Sequence, residues 1–95
     1  GGEPLLVPVT LLVTFQANVD TEARWVELQN RVVSHVNTLK PGETLTLNGV
    51  HAAARGLSVE STGVVDVSIL SPAGNLEPTF AYQVIRTNAG LVTRN

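Results

Sequence analysis

The chain contains no cysteine and no methionine, and its aromatic residues are only Phe15, Trp25, Phe80 and Tyr82. Without cysteine there is no disulfide, no thiolate nucleophile and no cysteine metal site, which permits a reducing compartment without requiring one. With so few aromatics, the core has to be built from Val, Leu, Ile and Ala, which suits a thin layer of sheet and helix. Positive charge is also sparse. Six Lys/Arg stand against eight Asp/Glu, and Arg24, Arg31, Lys40, Arg55, Arg86 and Arg94 are scattered along the chain. Nucleic-acid binding draws on counterion release at several adjacent phosphate contacts and needs clustered cations, so no nucleic-acid partner is expected. Long apolar runs are missing as well: Leu5 to Val9 and Leu11 to Val13 are interrupted by Pro8 and Thr10. They fall far short of the ~20 residues of a membrane span, and no membrane partner is expected.

What is present describes a small folded domain. Ninety-five residues suit a single domain that hides roughly 64% of its unfolded surface. Hydrophobic residues make up 43% and charged residues 15%, a balance too apolar for the disordered class. The lack of methionine and the opening Gly1-Gly2 lead us to expect a domain excised from the C-terminal part of a longer chain. Gly1 and Gly2 are expected to be a remnant outside the fold.

Breaker clusters at Lys40-Pro41-Gly42, Ser61-Thr62-Gly63 and Ser71-Pro72-Ala73-Gly74-Asn75 divide the chain into elements. Val9, Leu11, Val13 and Phe15 alternate with Thr10, Thr14 and Gln16, interrupted only by Leu12, which predicts a half-buried strand from 9 to 17. Pro8 cannot donate to a ladder, so that strand starts after it or the preceding segment lies at an edge. Asp20 stands where an N-cap is expected, and a helix is predicted from about Thr21 to Leu39. Its apolar stripe is Trp25, Leu28, Val32, Val36 and Leu39; Arg24, Glu27, Asn30, Arg31, Ser34 and Asn37 line the other side, with Glu27 and Arg31 spaced as an ion pair.

A second helix is predicted from Leu47 to Gly56, capped by Thr46 or Asn48, with Leu47, Val50, Ala54 and Leu57 on one face. Leu45 to Leu47 reads also as a short strand. Val64 to Leu70 predicts a strand with Val65, Val67 and Ile69 toward the core and Asp66 on the opposite face. Ala81 to Thr87 and Leu91 to Thr93 flank a hairpin-like turn at Asn88-Ala89-Gly90. The fold class expected is α+β: a small three- to four-stranded sheet with two helices packed on one face, in strand-helix-helix-strand-strand order.

The residues that carry chemistry form no recognisable constellation. His35 and His51 lie on different elements, and neither HExxH nor any Cys/His cluster is present, so no metal is expected. The acids spread over caps, turns and exposed faces. No serine sits in a GxSxG context, and the phosphate-cradling patterns GxGxxG and GxxxxGK[ST] are absent. Trp25 lies in a helical stripe and reads as a core anchor rather than a stacking platform. The expectation is a non-enzyme with no catalytic residue, no cofactor and no small-molecule substrate.

Several features in order resemble a known family. A strand ending in a polar turn and an amphipathic helix are followed by Leu39-Lys40-Pro41-Gly42-Glu43-Thr44-Leu45, a short Ala-rich helix, Gly63-Val64-Val65-Asp66-Val67 and Ser71-Pro72. Together, from about Val9 to Thr93, they resemble the C-terminal domain of baseplate J-like proteins, wedge components of contractile phage tails and related injection devices. The Ser58 to Thr62 link is long for this pattern. The resemblance implies a structural assembly module whose partners are other baseplate subunits, in a virion baseplate assembled in the bacterial cytoplasm. Under it Pro41, Gly42, Gly63 and Pro72 shape turns, and Asp66 caps or bonds nearby backbone. The alternative is a free-standing ferredoxin-like ligand-binding or regulatory domain, with a small enzyme the least favoured class. If both helices cover one sheet face, the other carries Leu12, Thr14, Asp66 and Leu70, a candidate interface and a site of weak homo-oligomerisation.

Overall fold

The computed structural model describes residues 4–95, so the expectation about Gly1 and Gly2 lies outside the described residues. In chain order the elements are β1 (Pro4–Leu6), β2 (Val9–Phe15), α1 (Glu22–Asn37), α2 (Leu47–Arg55), α3 (Val59–Thr62), β3 (Val64–Ser71), β4 (Val84–Arg86) and β5 (Val92–Arg94). The architecture is α+β. Its strands form a three-stranded sheet ordered β3-β2-β5 and a two-stranded pair β1-β4, in place of a single sheet.

Strand β2 is central because its odd positions are wholly apolar. Val9, Leu11, Val13 and Phe15 are buried, while Leu12 and Thr14 face outward. Against that inner face lies the stripe of α1, in which Leu28, Val32 and Val36 are buried and Trp25 is partly so. The helix is capped by Thr21, not Asp20: the Thr21 hydroxyl accepts from the Arg24 amide at 3.3 Å. It ends at Asn37, with Thr38 as C-cap, and Leu39 is buried beyond the last turn.

The second helix forms as expected, with Thr46 as its cap and Val50 and Ala54 buried. A short strand over Leu45 to Leu47 does not form: Leu45 alone makes an isolated bridge to Leu76, and Leu47 already begins the helix. Leu57 does not continue the buried face. Arg55 is the last helical residue, and Gly56 at φ +70° turns the chain away. The stretch expected to be a link is a further helical turn, α3, with Ser58 as N-cap and Gly63 as a left-handed C-cap.

Asn88-Ala89-Gly90 does not join a hairpin. Strand β4 pairs in parallel with β1 (Leu5 opposite Ile85), and β5 pairs in parallel with β2 (Val9 opposite Val92). The N-terminal and C-terminal stretches thus run side by side, and the pairing breaks where Pro8 lacks an amide hydrogen. On either side of the break the Val7 amide donates to the Arg86 carbonyl at 3.0 Å and the Val9 amide to the Leu91 carbonyl at 2.9 Å. The buried Thr87 hydroxyl fills the gap by donating to the Val7 carbonyl at 2.8 Å.

Polar side chains fasten this C-terminal stretch to α1. Asn37 exchanges two hydrogen bonds with the Thr87 backbone, and Gln29 donates to the Ala89 and Val92 carbonyls. The polar side of α1 is therefore only in part a solvated face. Arg31 does not pair with Glu27 as expected; it donates to the Ala53 and Ala54 carbonyls at the end of α2, and Arg24 takes Glu27 at 3.3 Å.

Candidate interaction surface

The outward face of the three-stranded sheet is built by the same alternation that builds the core. On β2 the exposed residues between the buried ones are Leu12 and Thr14, with Thr10 half-buried; opposite Leu12 and Thr14 on antiparallel β3 stand Ser68 and Asp66. The side chains of these two pairs are exposed. Two irregularities interrupt the pairing of β3 with β2. Thr14 pairs with Asp66 but Phe15 with Val64, which leaves Val65 as an extra residue; Leu11 pairs with Ile69 but Thr10 with Ser71, which leaves Leu70 extra.

The bulge at Val65 corrects one expectation, while Leu70 faces outward in simple alternation with Asp66 and Ser68. Val65 was expected in the core, yet it is 45% exposed, and Val64 is buried in its place. The bulge resets the in-and-out phase between Asp66 and Val64. Leu70 is 46% exposed and Leu12 48%, so the face holds three sizeable apolar side chains among Thr14, Ser68 and Asp66. Strand β3 bonds to β2 on one side, and among the described residues no strand lies on its other side. Asp66 pairs with Thr14 through its backbone, but its side chain makes no hydrogen bond to a described residue, so the structure does not give it the capping role that the family resemblance implied.

The four turn residues serve geometry, and Gly63 and Pro72 directly flank β3. Gly42 has φ +79°, and a Cβ there would stand 2.5 Å from the Ala81 carbonyl oxygen. That close approach lets the Gly42 amide donate to the Gln83 carbonyl at 2.9 Å, joining the Pro41 turn to the segment before β4. Gly63 has φ +75°, and a Cβ would lie 2.8 Å from Val19 Cγ2. Its carbonyl accepts from the Gln16 amide, which closes the end of β2 on the start of β3. Pro72 is buried and follows β3 directly, while Pro41 is exposed beyond α1.

Asp20, released from the capping role, binds the other end of the chain. Arg94 grips its carboxylate at 2.8 and 3.0 Å, donates to the Val13 carbonyl, and lies over the Phe15 ring with 5.0 Å to its centroid. The hydrogen bond from Arg94 holds the Asp20 carboxyl below its ordinary pKa, and the same bond raises that of Arg94. Trp25, Gln29 and this ion pair border a surface depression of about 610 Å³. Sequence reasoning had no signal for the pair, because 74 positions separate its members.

Among the described residues no group of three or more His, Asp or Glu side chains is placed to hold a metal ion. His35 and His51 are both half-buried on their helices. Among the described residues no helix is long and apolar enough to cross a membrane. No protein-family model and no curated protein matches the chain.

Proposed function

We propose that this domain is a non-enzymatic assembly module of a contractile-tail baseplate, making protein contacts through its open sheet face. The observation that carries this reading is the outward surface of the β3-β2-β5 sheet, where Leu12, Val65 and Leu70 are each close to half exposed. Apolar side chains of this size grouped on one face, with polar residues between them, fit a surface that another protein covers. The free side of β3 offers backbone donors and acceptors at the same place. Bulges at Val65 and Leu70 bend that edge, which limits open-ended strand addition and favours one defined neighbour.

The family comes from the sequence resemblance alone, through the Pro41-Gly42-Glu43 turn, the Gly63-Val64-Val65-Asp66-Val67 strand and the following Pro72. On this reading the neighbours are other baseplate subunits, and a second copy of the domain associates weakly through the same face.

Two experiments test it. Sedimentation equilibrium of the isolated domain should show concentration-dependent association, and the double substitution Leu12→Lys with Leu70→Lys should abolish it while circular dichroism stays unchanged. A strictly monomeric domain at high concentration would remove the face as a self-association site. Genes for tail sheath, tube and wedge proteins beside the parent gene support the baseplate assignment; a metabolic operon there would overturn it.

A further inference from the structure

The connection from α2 to α3 displays a leucine that the core does not use. Leu57 is 98% exposed, yet its turn is held on both sides. Gly56 is confined to φ +70° beneath Thr62, whose Cγ2 would stand 2.4 Å from a Cβ at that position. The buried Thr62 hydroxyl donates between the Arg55 and Ser58 carbonyls, 2.9 Å from each, and the Ser58 hydroxyl caps α3 through the Ser61 amide. A leucine presented on a fastened turn has little backbone entropy left to lose when a partner covers it.

Beside Leu57 an open groove of about 880 Å³ separates α1 from α2, with Ala52 and Ala53 on one side and Ser34 and His35 on the other. Arg31 stands in the same groove. Its Nε and Nη2 are given to the Ala53 and Ala54 carbonyls, at 3.1 and 2.8 Å. Among the described residues the side-chain ion pairs are Arg24 with Glu27 and Arg94 with Asp20, so neither Arg31 nor Arg55, which ends α2 two positions before Leu57, has a carboxylate partner. Of the nearby acids, Glu27 is engaged by Arg24 and Glu60 occupies the first turn of α3. Burial already lowers the Arg31 pKa.

These charges select the kind of partner. A neutral apolar segment laid in the groove would strip water from the Arg31 guanidinium without replacing it, whereas a carboxylate there would offset the loss. A second copy presenting the same groove would bring Arg31 against its own kind. We propose that Leu57 and the α1–α2 groove form a docking surface for a protein segment with apolar side chains flanked by carboxylates. This surface is separate from the open sheet face, and the proposal stands or falls independently of the baseplate reading.

The test is selection from a displayed library of random short peptides against the folded domain, with titration of the recovered peptides followed by amide chemical shifts. Recovered peptides should be enriched in Asp and Glu next to Leu, Ile or Phe, and should shift Ala52, Ala53, Leu57 and Ser61. Leu57→Asn, on a fully solvated side chain that the fold does not need, should weaken them by about tenfold. Arg55→Glu should weaken them further and shift the selected composition away from acids. Recovery of peptides without acidic enrichment, equal binding to Leu57→Asn, failure to recover any saturable binder, or concentration-dependent shifts of the same residues in the free domain would each overturn the proposal.

Discussion

Replacing Leu28 by Ala tests the register of α1 against the sheet. Leu28 is 0% exposed and lies in the core cluster with Leu11, Val32 and Val36. The substitution removes three carbon atoms, worth about 0.8 kcal/mol each in transfer free energy. Its neighbours are held by β2 pairing on both sides and by the helix itself, so they collapse only partly into the space, and the residual cavity adds a further term. The sum is about 3 kcal/mol, inside the range of about 2 to 5 kcal/mol for buried leucines. For a domain of this size the melting temperature should fall by roughly 12 °C or more. Urea denaturation followed by far-ultraviolet dichroism and by Trp25 fluorescence measures the loss, since Trp25 is the chain's one tryptophan and packs beside the core. Leu57→Ala is the internal reference, because a side chain already in water has no burial to forfeit. A midpoint for Leu28→Ala equal to that of Leu57→Ala would refute the packing of α1 on β2.

Other perturbations probe the polar and backbone features. Thr87→Val should cost about 1 to 3 kcal/mol, because it leaves the buried Val7 carbonyl without its donor at the break between the two parallel pairs; chemical denaturation measures this. Gly63→Ala should destabilise by more than about 1 kcal/mol, since it places a Cβ at positive φ and against Val19, and a thermal melt no lower than the parent's would contradict that geometry. The Asp20 carboxyl has a lowered pKa in the fold, so its contribution is complete above the ordinary aspartate value and is lost as pH falls through the lower folded value. Stability of the parent should therefore drop more steeply than that of Asp20→Asn in that acid window, while the two run parallel near neutrality.

Much of the architecture was legible from local pattern. Period-2 alternation from Val9 to Phe15 identified the central strand, and the 3.6-residue stripe through Leu28, Val32 and Val36 identified the helix that covers it. Thr46, Pro41-Gly42 and Gly63 marked boundaries that the structure keeps, because caps and positive-φ turns depend on residues within a few positions of one another. The interface candidates Leu12, Thr14, Asp66 and Leu70 were likewise readable as the outward partners of buried neighbours.

Pairing over long sequence distance was not readable, because an extended segment carries no mark of which strand it will join. Ala81 to Thr93 has the local signature of a hairpin, yet β4 and β5 each find a parallel partner near the N-terminus. Asp20 has the local signature of a cap, yet Arg94 claims it from the other end of the chain. Val65 alternates correctly as a core residue, but a bulge against β2 turns it outward and brings Val64 in. Leu57 continues the stripe of α2, and only the turn at Gly56 puts it in solvent. In each case a local preference worth a few tenths to about 1 kcal/mol was outweighed by burial and hydrogen bonding that exist only once the distant segments meet.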